Sequence, residues 1–141
     1  MYFVEIELIS SKIFEYKGVR VILDFEIARL YGVETKVLKQ SVKRNIEKFP
    51  EDFMLTIDYQ DLEILRSQNV TSSWGGNRQS SLAFTEQGVA MLSSVLKSKK
   101  AIQMNIAIIR AFIKLRDSLF KVNVLSEQIQ EVISKLKNHD E

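Results

Sequence analysis

Apolar and polar positions alternate through "FVEIELI" near the start of the chain, and "KIFEY" and "VRVIL" flank Lys17-Gly18. Alternation of this kind predicts strands, and Lys17-Gly18 suits a two-residue hairpin turn. From Asp24 the rhythm becomes helical. Asp24 is placed to cap a helix through "FEIARLY", Gly32 to end it, and Thr35 to cap a second helix. The second helix is expected to stop near Phe49, because a residue before proline is pushed out of helical geometry and Pro50 follows. "DFMLTI" then reads as a strand, "YQDLEILRSQ" as a short amphipathic helix, and "NVTSSWGGNRQSS" as a polar loop. "LAF" is a short buried strand, and Thr85 caps a helix through about Leu96 with Val89, Leu92 and Leu96 on one face. The basic link "KSKK" leads to a long apolar-striped helix from about Ala101 to Phe120, and a last helical stretch covers Val124 to Lys137. No internal repeat or low-complexity tract interrupts this order. The pattern predicts an α+β fold: a small N-terminal β-hairpin or sheet with a helix-turn-helix-like core, followed by long C-terminal helices.

The two helices around Gly32 have the spacing of a helix-turn-helix. Ala28, four residues before Gly32, lets a second helix cross closely, and a glycine allows a left-handed corner. Ile27, Val33, Leu38 and Val42 supply apolar packing. At about 100° per residue, Leu38, Val42, Ile46 and Phe49 share one face of the second helix. Lys36, Lys39, Gln40 and Lys43 share the opposite face, with Arg44 beside it. A merely solvated face would carry both signs of charge, yet the only acid between Thr35 and Phe49 is Glu47, at the far end. Clustered cations on a helix projecting from a glycine corner suit a DNA major groove. There the lysines would meet phosphates and Gln40 would pair bidentately with adenine. Thr35, at the start of the helix, joins the candidate contact set. Asn45 falls toward the core side and reads as a structural hydrogen-bonder.

Charge and composition sharpen this picture. The chain has 141 residues and a net charge of only +2, but the Thr35–Phe49 segment alone carries +4, which leaves −2 for the rest. A concentrated basic charge is the footprint of a nucleic-acid surface. There is no cysteine, hence no disulfide framework and no thiolate zinc site. No stretch approaches ~18 apolar residues, so no membrane span is expected. Acids at Glu5 and Glu7 interrupt the N-terminal apolar residues, so no signal peptide is expected and the reading is cytoplasmic. No catalytic constellation is visible. The sole histidine, His139, lies at the extreme end, and "WGGN" lacks the lysine and following helix of a phosphate-binding loop. The acid pairs Glu51-Asp52 and Asp61-Glu63, like Glu86, sit near helix starts, where the dipole favours them. The chain is therefore read as no enzyme, with no cofactor, metal or small-molecule substrate.

The stretch "LDFEIARLYGVETKVLKQSVKRNIEKFPEDFM", followed by "TSSWGG" and "AFTEQGVAMLSSVL", closely resembles the ORF-six N-terminal domain of phage and bacterial proteins, which is similar to the KilA-N group of DNA-binding domains. The likeness runs from about Ile13 to Arg116. It is carried by "LYGVET" at Leu30–Thr35, "VKRN" at Val42–Asn45, "FPEDF" at Phe49–Phe53 and "SSWGG" at Ser72–Gly76. The resemblance implies a small winged-helix-like DNA-binding domain, found in antirepressor-like and regulatory proteins. On that reading residues 1–120 form the DNA-binding domain and residues 121–141 a helical extension. The loop "TSSWGGNRQSS" would act as a wing, with Arg78 meeting phosphate and Trp74 anchoring the loop to the core. Lys97, Lys99 and Lys100 are further candidates for the duplex backbone.

In the extension, Leu125, Ile129, Val132 and Leu136 are spaced four, three and four apart, with charged and amide side chains around them. That narrow stripe is the seam of a coiled coil and predicts a homodimer through the C-terminal helices. Two such subunits would present two recognition helices to a palindromic duplex. The competing reading is a protein-interaction module, an antirepressor gripping a repressor without reading DNA.

Overall fold

The computed structural model describes residues 2–68 and 80–139. The element order is α1 (Tyr2–Ser10), β1 (Phe14–Tyr16), β2 (Val19–Leu23), α2 (Asp24–Tyr31), α3 (Thr35–Arg44), β3 (Met54–Asp58), α4 (Tyr59–Gln68), β4 (Ser80–Phe84), α5 (Glu86–Leu92) and α6 (Lys99–His139). The four strands form one antiparallel sheet in the order β1-β2-β4-β3. The fold is α+β, as the pattern predicts.

The sheet is covered on both faces, which is why the last three residues of β2, Val21, Ile22 and Leu23, are all apolar and all buried. Ile22 and Phe84 face a core shared with Ile27, Leu38, Val42, Val89, Leu92 and Ile108, drawn from α2, α3, α5 and α6. Val21, Leu23 and Ala83 point the other way, toward Ile57, Phe25 and Leu62 of α4. Successive strand residues alternate between the two layers, as the pleat requires. The β1–β2 hairpin turns at Lys17 and Gly18, both left-handed at φ +51° and +82°, the signature of a type I′ turn. Beside it, the Tyr16 hydroxyl donates to Asp61 at 2.5 Å. Burial, and then that hydrogen bond, push the hydroxyl up to about 12.

The N-terminal segment corrects the sequence reading. Residues 2–10 form a helix, not a strand. Of the alternating positions in "FVEIELI", Leu8 is exposed while Ile9 is buried, and Ile6 is half-buried one turn before Ile9. Contact with α6 therefore follows a three-residue step, and that neighbour overrides the alternation. A second difference concerns the C-terminal helices. The last two residues of the basic link and both predicted helical stretches merge into the single 41-residue helix α6. Its first residues, Lys99 and Lys100, are cations, and its buried side chains Ala101, Ala107, Ile108, Ala111 and Phe112 lie along the domain. Among the described residues no helix is long and apolar enough to cross a membrane.

Candidate nucleic-acid interface

α2 ends as its glycine predicts. Gly32 adopts φ +74° and ψ 29°. Its N–H bonds to the carbonyl of Arg29 at 3.2 Å, and the next N–H, on Val33, reaches back to Ala28 at 3.0 Å. This is the Schellman pattern, which turns the chain sharply into α3. The corner is held from behind by a buried polar relay. The Tyr31 hydroxyl donates to the Asn105 carbonyl oxygen on α6, and the Asn105 amide donates to the Val89 carbonyl on α5 at 2.9 Å. Burial pushes the Tyr31 hydroxyl above the ordinary tyrosine range.

The caps differ from expectation by one residue. Leu23 and Glu34 occupy the extended positions before α2 and α3, with Asp24 and Thr35 each the first helical residue. Asp24 is fully buried rather than a surface cap. α3 also ends earlier than Phe49, at Arg44, and a single tight turn over Ile46–Lys48 leads to Pro50. Asn45 makes the expected structural bond, donating from its amide to the Ser41 carbonyl at 2.8 Å. Leu38 and Val42 are buried, and Phe49 packs edge-on against Phe84 with ring centres 6.0 Å apart. Ile46, expected on that inner face, is 54% exposed because the helix has already unwound into the tight turn.

The outer face of α3 carries Lys36, Gln40, Lys43 and Arg44, all exposed, with Thr35 half-buried at its start. Lys36 lies 3.3 Å from Glu34, both largely in solvent, a pairing that contributes little there. Lys39 departs from the expected arrangement. Its ammonium turns inward, 3.5 Å from the buried Asp24 carboxylate and 3.3 Å from the Ser80 carbonyl. Lys48, in the tight turn beyond α3, has its ammonium 3.5 Å from the Ser94 hydroxyl. Arg78 and Trp74, with residues 71–79 of the expected wing, lie outside the described residues, and its last two residues, Ser80 and Ser81, belong to β4 instead of a loop.

One cation enters from elsewhere. A Cβ added at Gly32 would sit 3.2 Å from the Lys100 ammonium, so the exposed Lys100 side chain lies along the corner. The basic run in the sequence marked this lysine as a candidate, but only packing places it at the corner before α3, against Gly32, 68 positions earlier in the chain. A cleft of about 690 Å³ between Arg20, Glu51, Asp52, Glu86, Phe112 and Arg116 includes none of the candidate residues.

A glycine corner thus leads into an amphipathic helix with an exposed cationic face, and comparison with known families supplies the class. The chain belongs to the ORF6N domain family: the family model matches residues 11–95, more than half of the sequence. Membership places it with phage-type, antirepressor-like regulatory proteins. No curated protein and no solved structure matches the chain.

Proposed function

We propose that this protein is a sequence-specific double-stranded DNA-binding regulator that reads the major groove with α3. The observation that carries the reading is the outer face of α3, where Lys36, Gln40, Lys43 and Arg44 are exposed with no acid among them. Lys100 extends the cationic surface across the corner. On this reading the protein has no catalytic role, needs no cofactor and acts in the cytoplasm of a bacterial host. The decisive experiment is a salt titration on random duplex DNA. Four exposed cations at the face give a slope of log K against log salt of about −4 per subunit. A chain without measurable duplex affinity at ~50 mM salt is a protein-interaction module instead. That second reading draws support from an apolar groove of about 450 Å³ between α5 and α6, lined by Ala90, Ile102, Ile106, Ile109 and Ile113.

Gln40 is the exposed, uncharged hydrogen-bonding side chain central to this face. Its replacement by alanine is expected to cost about 1–3 kcal/mol on the preferred site and to relax one base position. Affinity for random duplex stays within about twofold, because no phosphate contact is lost. Selection of bound duplexes from a random pool, run on both proteins, checks this. Unchanged base preference in Gln40→Ala places the readout outside α3.

The same reading includes a homodimer. Residues 124–137 of α6 are exposed throughout, and Leu125, Ile129, Val132 and Leu136 are 57%, 52%, 56% and 59% exposed. The stripe does not fold back on its own domain. Pairing two tails removes it from water, and each buried side chain contributes about 1.5–3 kcal/mol. Light scattering is expected to give a dimer for the full chain and a monomer for a chain ending at Phe120. A monomeric full chain, or a dimeric truncation, contradicts the tail as the seam.

A further inference from the structure

Two buried side chains, Leu38 and Val42, hold the body of α3 against the core. Four residues apart, they lie on one stripe of the helix. Such a stripe fixes the distance of a helix from the core better than its roll about its own axis. A side-chain tip stands about 6 Å from the axis, so a roll of about 10° moves it by about 1 Å. Hydrogen bonds to base edges tolerate about half of that.

A third anchor lies off the stripe. Asp24, fully buried, accepts from the N–H of Phe25 at 2.7 Å and from the N–H of Leu82 on β4 at 3.0 Å. The Lys39 ammonium lies 3.5 Å from the oxygen that takes the Leu82 bond, and it donates to the Ser80 carbonyl on the same strand. A buried carboxylate is costly without a nearby cation, so the pairing is directional in consequence. It ties α2, α3 and β4 together at a point adjacent in sequence to Gln40.

We propose that Lys39 is a positioning residue: paired with Asp24, it fixes the roll of α3 on the sheet and so aims Gln40 and Lys43. This rests on the reading of α3 as the DNA-contacting helix. It also separates Lys39 from Lys36, Lys43 and Arg44, which the sequence groups with it. Asp24 has no access to DNA, so a change there reaches binding only through the orientation of its neighbours.

The test compares the full-length protein with Lys39→Met, Lys39→Arg, Asp24→Asn, the Asp24→Asn/Lys39→Met double variant, and Lys43→Ala as a phosphate-contact standard. Affinity is measured on a selected duplex and on random duplex over a range of salt. Lys43→Ala is expected to flatten the salt slope by about one unit, and Lys39→Met by less than about 0.3. Lys39→Met should nevertheless lose about tenfold or more in the ratio of selected to random affinity. Asp24→Asn should lose discrimination similarly, the double variant no more than the worse single one, and Lys39→Arg should keep it. A slope loss of about one unit in Lys39→Met with discrimination intact makes Lys39 a phosphate contact and overturns the proposal. Additive losses in the double variant overturn it too. If Asp24→Asn does not fold, the contrast between Lys39→Met and Lys39→Arg decides alone. Failure of the unaltered protein to bind any duplex is a different outcome: it removes the DNA-binding reading, and the positioning role with it.

Discussion

Replacing Lys36, Lys43 and Arg44 together by alanine is expected to reduce duplex affinity by roughly 100- to 1,000-fold at ~0.1 M salt, on every sequence. The three side chains are exposed on α3, so each is free to stand against a phosphate and release a condensed counterion. Each contact contributes about 0.9 to the slope of log K against log salt, so the slope should flatten by about 2.7 units. Discrimination between sites should change much less, because phosphate contacts carry position and not sequence. The fold is not at risk. Leu38 and Val42, which hold the helix, are untouched, and alanine favours helix at exposed positions. An unchanged slope in the folded triple variant rules out α3 as the DNA-facing element and leaves the protein-interaction reading.

The largest stability effect is expected at Gly88, far from that face. Its N–H bonds to the Thr85 hydroxyl at 3.3 Å, the cap of α5. A Cβ at this position would lie 2.0 Å from the Phe53 carbonyl oxygen and 2.9 Å from its carbon. That carbonyl is backbone, and it already accepts from the Thr85 N–H at 3.1 Å and from the Thr85 hydroxyl at 3.2 Å. No rotamer change can relieve the overlap. Either α5 moves off β3 or the two Thr85 bonds break. Gly88→Ala is therefore expected to cost about 3 kcal/mol or more, read as a lower urea midpoint. Gly18→Ala is the control, since nothing lies within 4 Å of a Cβ there, although its φ of +82° still carries backbone strain. If Gly88→Ala is no more destabilised than Gly18→Ala, the close α5–Phe53 packing is wrong.

Much of this protein was legible in its sequence, wherever the signal is local. The hairpin at Lys17-Gly18, the corner at Gly32 and the cap at Thr85 depend on backbone conformations that a few residue types favour. The buried stripe of α3 and its exposed cationic face follow from helical spacing alone. The resemblance carried by "LYGVET" and "FPEDF" lies within residues 11–95, which the family model matches. What remained hidden depends on partners distant in the chain. α1 is helical because Ile9 and its neighbours pack along α6, a surface more than 90 residues later in sequence. The helices expected on either side of residues 121–123 are one, since nothing there breaks helical geometry. Lys39 shares the periodicity of Lys36 and Lys43, so spacing groups the three together. It turns inward because a carboxylate from α2 and a carbonyl from β4 meet beneath it, and a buried charge draws the nearest cation. Periodicity determined which face of α3 is cationic; only the assembled sheet decided which of its cations remain free to meet a partner.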